Sequence, residues 1–415
     1  MIRNMLIGQS GGPTVAINAS LSGAIKRGMS SDQIGAVYGT KAGIEGILND
    51  NIIPLEPYLT SEMDFSLLEH TPAMALGSCR YKLPDLSQDR EVYEKVLSIF
   101  HKYNIGYFFY IGGNDSMDTV KKLSAYFQEI GEDIKVVGIP KTIDNDLACT
   151  DHTPGFGSAA KYVATSMLEI TRDSNVYDME SITIVEIMGR NAGWLTASSV
   201  LARLGGTSAP HLIYLPEAPF DTEQFVRDFK GFTGKVQNLI IAVSEGIRFA
   251  DGSYVAEANA KTDVFGHKYL SGVGKVLENI VRERSDCKVR SVELNVLQRC
   301  AVHIGAETDI QEASKVGEAA VNFALRGKTG IMAVMNRVSN RPYLIEYGYR
   351  DVNEIANVEK KVPREWINKD GNDVTEEMVE YLRPLILGEA KQYMENGLPK
   401  HFTFAPIESY GMEKE

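Results

Sequence analysis

The chain has 415 residues, 44% hydrophobic and 24% charged, with a formal net charge of −12. That length gives room for two or three domains with their own cores, and the acidic balance argues against broad attraction to nucleic acid or an anionic membrane. Cys79, Cys149, Cys287 and Cys300 form no CxxC pair, and no apolar run reaches the ~18 residues needed to cross a bilayer.

The N-terminal residues lack the charged-then-apolar pattern of a secretory leader, so a cytoplasmic location is expected. Met5 to Gly8 reads as a strand leading into Gln9-Ser10-Gly11-Gly12-Pro13-Thr14, followed by a helix with Val15, Leu21 and Ile25 on one face. The apolar run Ile105 to Ile111 reads as a buried strand, and its aromatic residues Tyr107 to Tyr110 as core. After it, Ile111-Gly112-Gly113-Asn114-Asp115-Ser116 opens a helical spacing at Met117, Val120, Ser124 and Phe127. A strand that ends in paired glycines before a helix suits phosphate: backbone N–H groups can approach oxyanions, and the helix N-terminus favours negative charge. Either glycine pair could also make only a tight turn, and Asp115 could serve only as a helix cap.

The next strand, Lys135 to Ile139, leads to Pro140-Lys141-Thr142-Ile143-Asp144-Asn145-Asp146, with a lysine three residues before an aspartate. A cation beside a proton acceptor points to phosphoryl transfer. Residues 181–188, 211–215 and 238–243 read as further strands. Strands alternating with helices predict an α/β protein with parallel sheets, whose strand ends carry the ligand site. The tail from about Asn340 is more polar, with Glu359-Lys360-Lys361-Val362-Pro363 and a helix near Thr375 to Arg383, and reads as an ordered extension. The seven histidines have no HxxxH or HExxH spacing, so His152, His211 and His267 read as structural.

The loops GGNDS (112–116) and KTIDND (141–146) resemble those of the 6-phosphofructokinases, whose ATP-using members carry GGDGS and GTIDND. Aspartate at 115 and lysine at 141 resemble the pyrophosphate-dependent branch. The resemblance spans about residues 1–330 through ordered motifs that include Ser10-Gly11-Gly12, Gly77-Ser78-Cys79-Arg80, Met188-Gly189-Arg190 and Asn191-Ala192-Gly193-Trp194. It implies two Rossmann-like α/β lobes with the active site in the cleft between them. Residues 1–140, completed by about 300–340, would bind the donor; 141–299 would bind the sugar phosphate; 340–415 would pack on the lobes.

By that resemblance, Gly11, Arg80, Gly112 and Gly113 face the donor phosphates, and Asp115 fills the place of an α-phosphate. Asp144 is the general base for the sugar 1-hydroxyl, Asp146 orients the loop and the metal-bound phosphate, and Lys141 stabilises the leaving phosphate. Thr142 and Ile143 adjoin the transferring group. Met188, Gly189, Arg190, Glu245, Arg290 and Arg299 take the sugar phosphate, and Arg290 is the residue expected to reach a neighbouring subunit. Asn114 stands where relatives have an acidic residue near Mg2+. Val296 and Ser181 depart from the His or Tyr and the Arg of relatives, and Ser181 argues against their tetramer geometry.

The expected reaction moves a phosphoryl group from pyrophosphate to fructose 6-phosphate, with Mg2+, in a homodimer without nucleic-acid or membrane partners. The alternatives are an ATP-dependent phosphofructokinase, a kinase of another sugar phosphate such as sedoheptulose 7-phosphate, and a silent phosphate-binding regulatory subunit. A dinucleotide-binding module is disfavoured, because neither glycine pair completes GxGxxG with a suitably placed acid.

Overall fold

The computed structural model describes residues 2–176, 178–256 and 272–404; His267 lies outside them. Eleven strands build two sheets. The first contains β1 (Arg3–Gln9), β2 (Ile34–Thr40), β3 (Ile52–Pro54), β4 (Ile105–Gly112), β5 (Lys135–Pro140), β10 (Ile331–Asn340) and β11 (Tyr343–Asp351), in the order β11-β10-β5-β4-β1-β2-β3. The second contains β6 (Ser181–Ile187), β7 (Leu212–Tyr214), β8 (Asn238–Ser244) and β9 (Lys288–Glu293), in the order β7-β8-β6-β9 and parallel throughout. In the first sheet only the edge strands β3 and β11 are antiparallel.

Both faces of the parallel strands are covered, which is why they read as apolar runs and not as alternations. Met5, Ile7, Phe109 and Ile111 point to one core with Ile17, Leu21 and Ile25, while Leu6, Phe108 and Tyr110 point to the other with Met117, Val120 and Leu123. Phe108, Phe109 and Tyr110 are thus core residues.

Three local expectations change. The first helix begins at Ile17, after Val15, and runs to Met29. The helix Asn114–Glu129 buries Leu123 and not Ser124, because an inward face at Met117 and Val120 is continued by an apolar residue three positions on. The tail past Asn340 continues into the first sheet: Tyr343 to Asp351 pair with Ile331 to Asn340 as its edge strand. Farther on, the helix Glu376–Leu382 buries Met378, Val379 and Leu382 against the core beside the second sheet. No helix among the described residues is long and apolar enough to cross a membrane.

Candidate active site

The first sheet reverses its strand order at β1, with β2 on one side and β4 on the other. At such a point the loops after neighbouring strands part and leave a crevice. The crevice holds Ser10 to Pro13 after β1, Gly113 to Ser116 after β4, and Lys141 to Asp146 after β5. The hydroxyls of Ser10 and Ser116 bond each other across it. The Lys141 backbone N–H donates to Gly112 O at 3.0 Å, and its Nζ donates to Gly12 O at 2.6 Å. Gly11 has φ +79°, a left-handed conformation that favours glycine, and Ser78 Oγ donates to its carbonyl at 2.8 Å. That bond brings the Gly77–Arg80 turn alongside.

In the second sheet β6 lies between β8 and β9, and the loops after these three strands face the same crevice. Met188 to Arg190 follow β6, and the Gly189 N–H donates to Glu245 Oε1, beyond β8, at 3.3 Å. A Cβ on Gly246 would lie 1.9 Å from Arg190 O, so a side chain there would push the Glu245 turn off the Arg190 loop. Arg299 ends the short 3-10 helix Asn295–Arg299, and a Cβ on Gly12 would meet its Nη1 at 3.3 Å. This arginine therefore reaches from the second sheet's side to the glycine turn of the first.

A cavity of about 610 Å³ lies among these loops. It is lined by Gly11, Arg80, Gly113, Asn114, Asp115, Lys141, Thr142, Ile143, Asp144, Asp146, Met188, Arg190, Glu245 and Arg299. Gly112 and Gly189 stand behind this lining; a Cβ on Gly112 would meet Ser116 Oγ at 1.8 Å. Arg290 is elsewhere. Its guanidinium binds Asp173 Oδ2 at 2.8 Å, Ser174 Oγ at 2.9 Å and Thr183 Oγ1 at 3.1 Å beside a separate small hollow. Asp115 does not cap its helix: the N-cap is Gly113, without a side-chain bond, and Asp115 stands exposed in the first turn facing the cavity. Val296 is exposed at the surface. His152 bonds Asp151 and Glu312, and His211 bonds Ser208 and the Ile240 N–H, consistent with structural roles.

The site is electrostatically divided. Burial pushes the Lys141 ammonium down to about 8, against Asp144 and Asp146, which hold its proton on. Asp144 is raised by burial, while Arg190, Lys141 and Arg299 favour its charged form. Asp146 is pushed up to about 7 by burial and by the Asp144 charge, and Glu245 to about 7 for the same two reasons. Of these carboxylates Asp144 has the most cations around it, as a base needs in order to be ionised in a buried place. Asn114 Oδ1 is buried with no hydrogen-bond partner, while its Nδ2 donates to Val358 O at 3.3 Å. Among the described residues no three His, Cys, Asp or Glu side chains cluster as a metal cage. A cation held by one or two oxygens and by substrate phosphate, as Mg2+ is, fits such a donor set.

Asn357 and Glu359 also line the cavity. Sequence reasoning gave the tail no role in the site, and no motif marks these two residues; only the path of the chain after β11 brings them there.

The phosphofructokinase family profile matches residues 4–324. Pyrophosphate--fructose 6-phosphate 1-phosphotransferase of Methylococcus capsulatus is 42% identical over 98% of this chain and 96% of its own. The enzyme of that name from Halomonas elongata is 40% identical over 96% of this chain and 95% of its own. The crystal structure of pyrophosphate-dependent phosphofructokinase from Marinobacter aquaeolei superposes with a TM-score of 0.85 at 38% identity, over 97% of this chain and 96% of that one. The chain belongs to the phosphofructokinase family.

Proposed function

We propose that the protein transfers a phosphoryl group from pyrophosphate to the 1-hydroxyl of fructose 6-phosphate, giving fructose 1,6-bisphosphate and phosphate in the cytoplasm. The observation that carries this reading is the convergence of Asp115, Lys141 and Asp144 on one cavity that also holds Arg190 and Arg299. The near full-length similarity to the phosphotransferases named above supports it.

In this reading the loops of residues 1–140, with the strands returning after 300, hold the donor. Those of 141–299 hold the sugar phosphate, and the segment from 340 packs on both. Pyrophosphate lies against Gly11, Gly113 and Arg80, with Gly112 supporting the turn from behind, where glycine turns and the N-terminus of the helix Asn114–Glu129 offer N–H groups. Arg190 and Arg299 take the 6-phosphate, Met188 borders the sugar with Gly189 holding the turn behind it, and Glu245 accepts from its hydroxyls. Asp144 takes the proton of the 1-hydroxyl as that oxygen bonds to the near phosphorus. The bridging P–O bond breaks, and its electron pair leaves on phosphate facing Lys141. Thr142 and Ile143 shape the place of the transferring group.

Asn114, with Asp146, would hold Mg2+, which when bound neutralises charge on pyrophosphate. Asp115 places a negative charge and bulk where a nucleotide's α-phosphate would lie. Arg290 lies outside its own protomer's cavity, so a role for it in sugar-phosphate binding requires a second copy, and we propose a homodimer.

A matched assay with pyrophosphate and with ATP on fructose 6-phosphate, with and without Mg2+, tests the reading. Turnover with pyrophosphate is expected. Turnover with ATP alone, or with neither donor, overturns it.

A further inference from the structure

Residues 359–362 lie beyond the stretch matched to the family and run between two loops of the cleft. Toward the first sheet, the Lys360 N–H donates to Asp146 O at 2.7 Å, and Glu359 forms an antiparallel bridge with Leu147. Lys360 Nζ donates to Asn145 Oδ1 at 3.2 Å, Thr150 O at 3.2 Å and Asp151 O at 2.7 Å. Three acceptors thus meet the three N–H donors of a half-buried ammonium, which would be costly to leave unmatched. Toward the second sheet, Asn191 Nδ2 donates to Glu359 Oε1 at 2.7 Å and Trp194 Nε1 donates to Lys360 O at 2.9 Å. Glu217 Oε1 accepts from both Gly193 N–H at 2.9 Å and Val362 N–H at 3.0 Å. A four-residue strap therefore bonds the Asp144–Asp146 loop on one side and the loop that follows Arg190 on the other.

Asn145 makes the turn of the first loop. It is fully buried with φ +54°, in the left-handed region, so its backbone sets how Asp144 and Asp146 point. Both ends of its amide are engaged: Oδ1 accepts from Lys360, and Nδ2 donates to Tyr381 Oη at 2.9 Å. Tyr381 Oη in turn donates to Asp151 O at 2.7 Å.

We propose that Lys360 is a positioning residue that locks the Asn145 turn and ties it to the Arg190 loop, holding the general base at a fixed place relative to the sugar-phosphate anchor. The assignment rests on the phosphoryl-transfer reading of the cleft. Neither Lys360 nor Tyr381 borders the cavity, so both act through the residues they hold.

The test uses the full-length chain with Lys360→Met and Tyr381→Phe. Hydrogen exchange without substrate is read over residues 142–150 and 188–196. Lys360→Met is expected to speed exchange in both segments, and Tyr381→Phe in the first only. In steady state with pyrophosphate and fructose 6-phosphate, Lys360→Met is expected to lower kcat about 10- to 100-fold, the scale of a small misplacement of a reacting group, with both KM values within about threefold. A loss carried by KM, a kcat within about twofold of wild type, or unchanged exchange in either segment overturns the proposal. Should Lys360→Met not fold, Tyr381→Phe decides: wild-type exchange over 142–150 together with wild-type kcat overturns it. An inactive wild type would remove the phosphoryl-transfer reading and leave the exchange measurement to judge the strap by itself.

Discussion

The two sheets furnish the cleft in different ways. The first presents turns of small residues (Ser10 to Gly12, Gly112 to Ser116) and a helix N-terminus, with Lys141 as a buried cation. The second presents long charged side chains, Arg190 and Glu245, joined by Arg299. Backbone N–H groups suffice for a ligand made only of phosphates, whereas a sugar phosphate needs guanidinium for its phosphate and a carboxylate for its hydroxyls. Donor affinity should therefore be spread over backbone atoms with Arg80 beside them, and acceptor affinity concentrated in a few side chains that mutation can reach.

The largest expected effect falls at the boundary between the two sides. Asp144→Asn keeps the shape but cannot take the hydroxyl proton, and should lower kcat by about two to four orders of magnitude with KM for fructose 6-phosphate little changed. Steady-state kinetics with pyrophosphate checks this; near wild-type kcat would remove Asp144 as the base.

Next come the two donor-side charges. Lys141→Gly should cost about 10²–10³-fold in turnover, by analogy with loss of an oxyanion donor, and should confer little use of ATP. Because burial sets the free Lys141 ammonium at about 8, wild-type kcat/KM for pyrophosphate should fall as pH rises through that value and the positive charge is lost. Asp115→Gly should do the reverse for donor range, admitting ATP to measurable binding while pyrophosphate turnover declines. Calorimetric titration with ATP that stays flat for Asp115→Gly, beside unchanged pyrophosphate kinetics, would dissolve the proposed division of labour.

The smallest effect sharpens the acceptor side. Arg190→Ala and Arg299→Ala should each raise KM for fructose 6-phosphate by about 10- to 150-fold, equivalent to about 1.5–3 kcal/mol for one charge-assisted contact. A loss of pyrophosphate affinity in place of this would reverse the assignment of the two sides.

Much of this was legible in the order of residues, for identifiable reasons. Buried parallel strands are short apolar runs, so β1, β4, β5, β6 and β8 stood out, and the glycine turns and charged loops that follow β1, β4 and β5 are contiguous in the chain. Ser124 was misread because a helical spacing does not say which of two adjacent positions turns inward; packing on β4 and β5 chose Leu123.

Local sequence determined which segments would become strands, where the glycine turns after them would lie, and which loops carry Lys141, Asp144 and Arg190. Those properties depend on neighbours a few residues apart. Tertiary structure alone decided that Arg290 sits outside the cavity holding Arg190 and Arg299, and that β11 closes the edge of the first sheet. It alone decided that Glu359 and Lys360, more than two hundred residues after Asn145, lie against the Asp144–Asp146 loop. A hydrogen bond over that separation leaves no periodic or compositional trace in the chain, because it is set by where the whole polypeptide returns and not by what stands beside each residue.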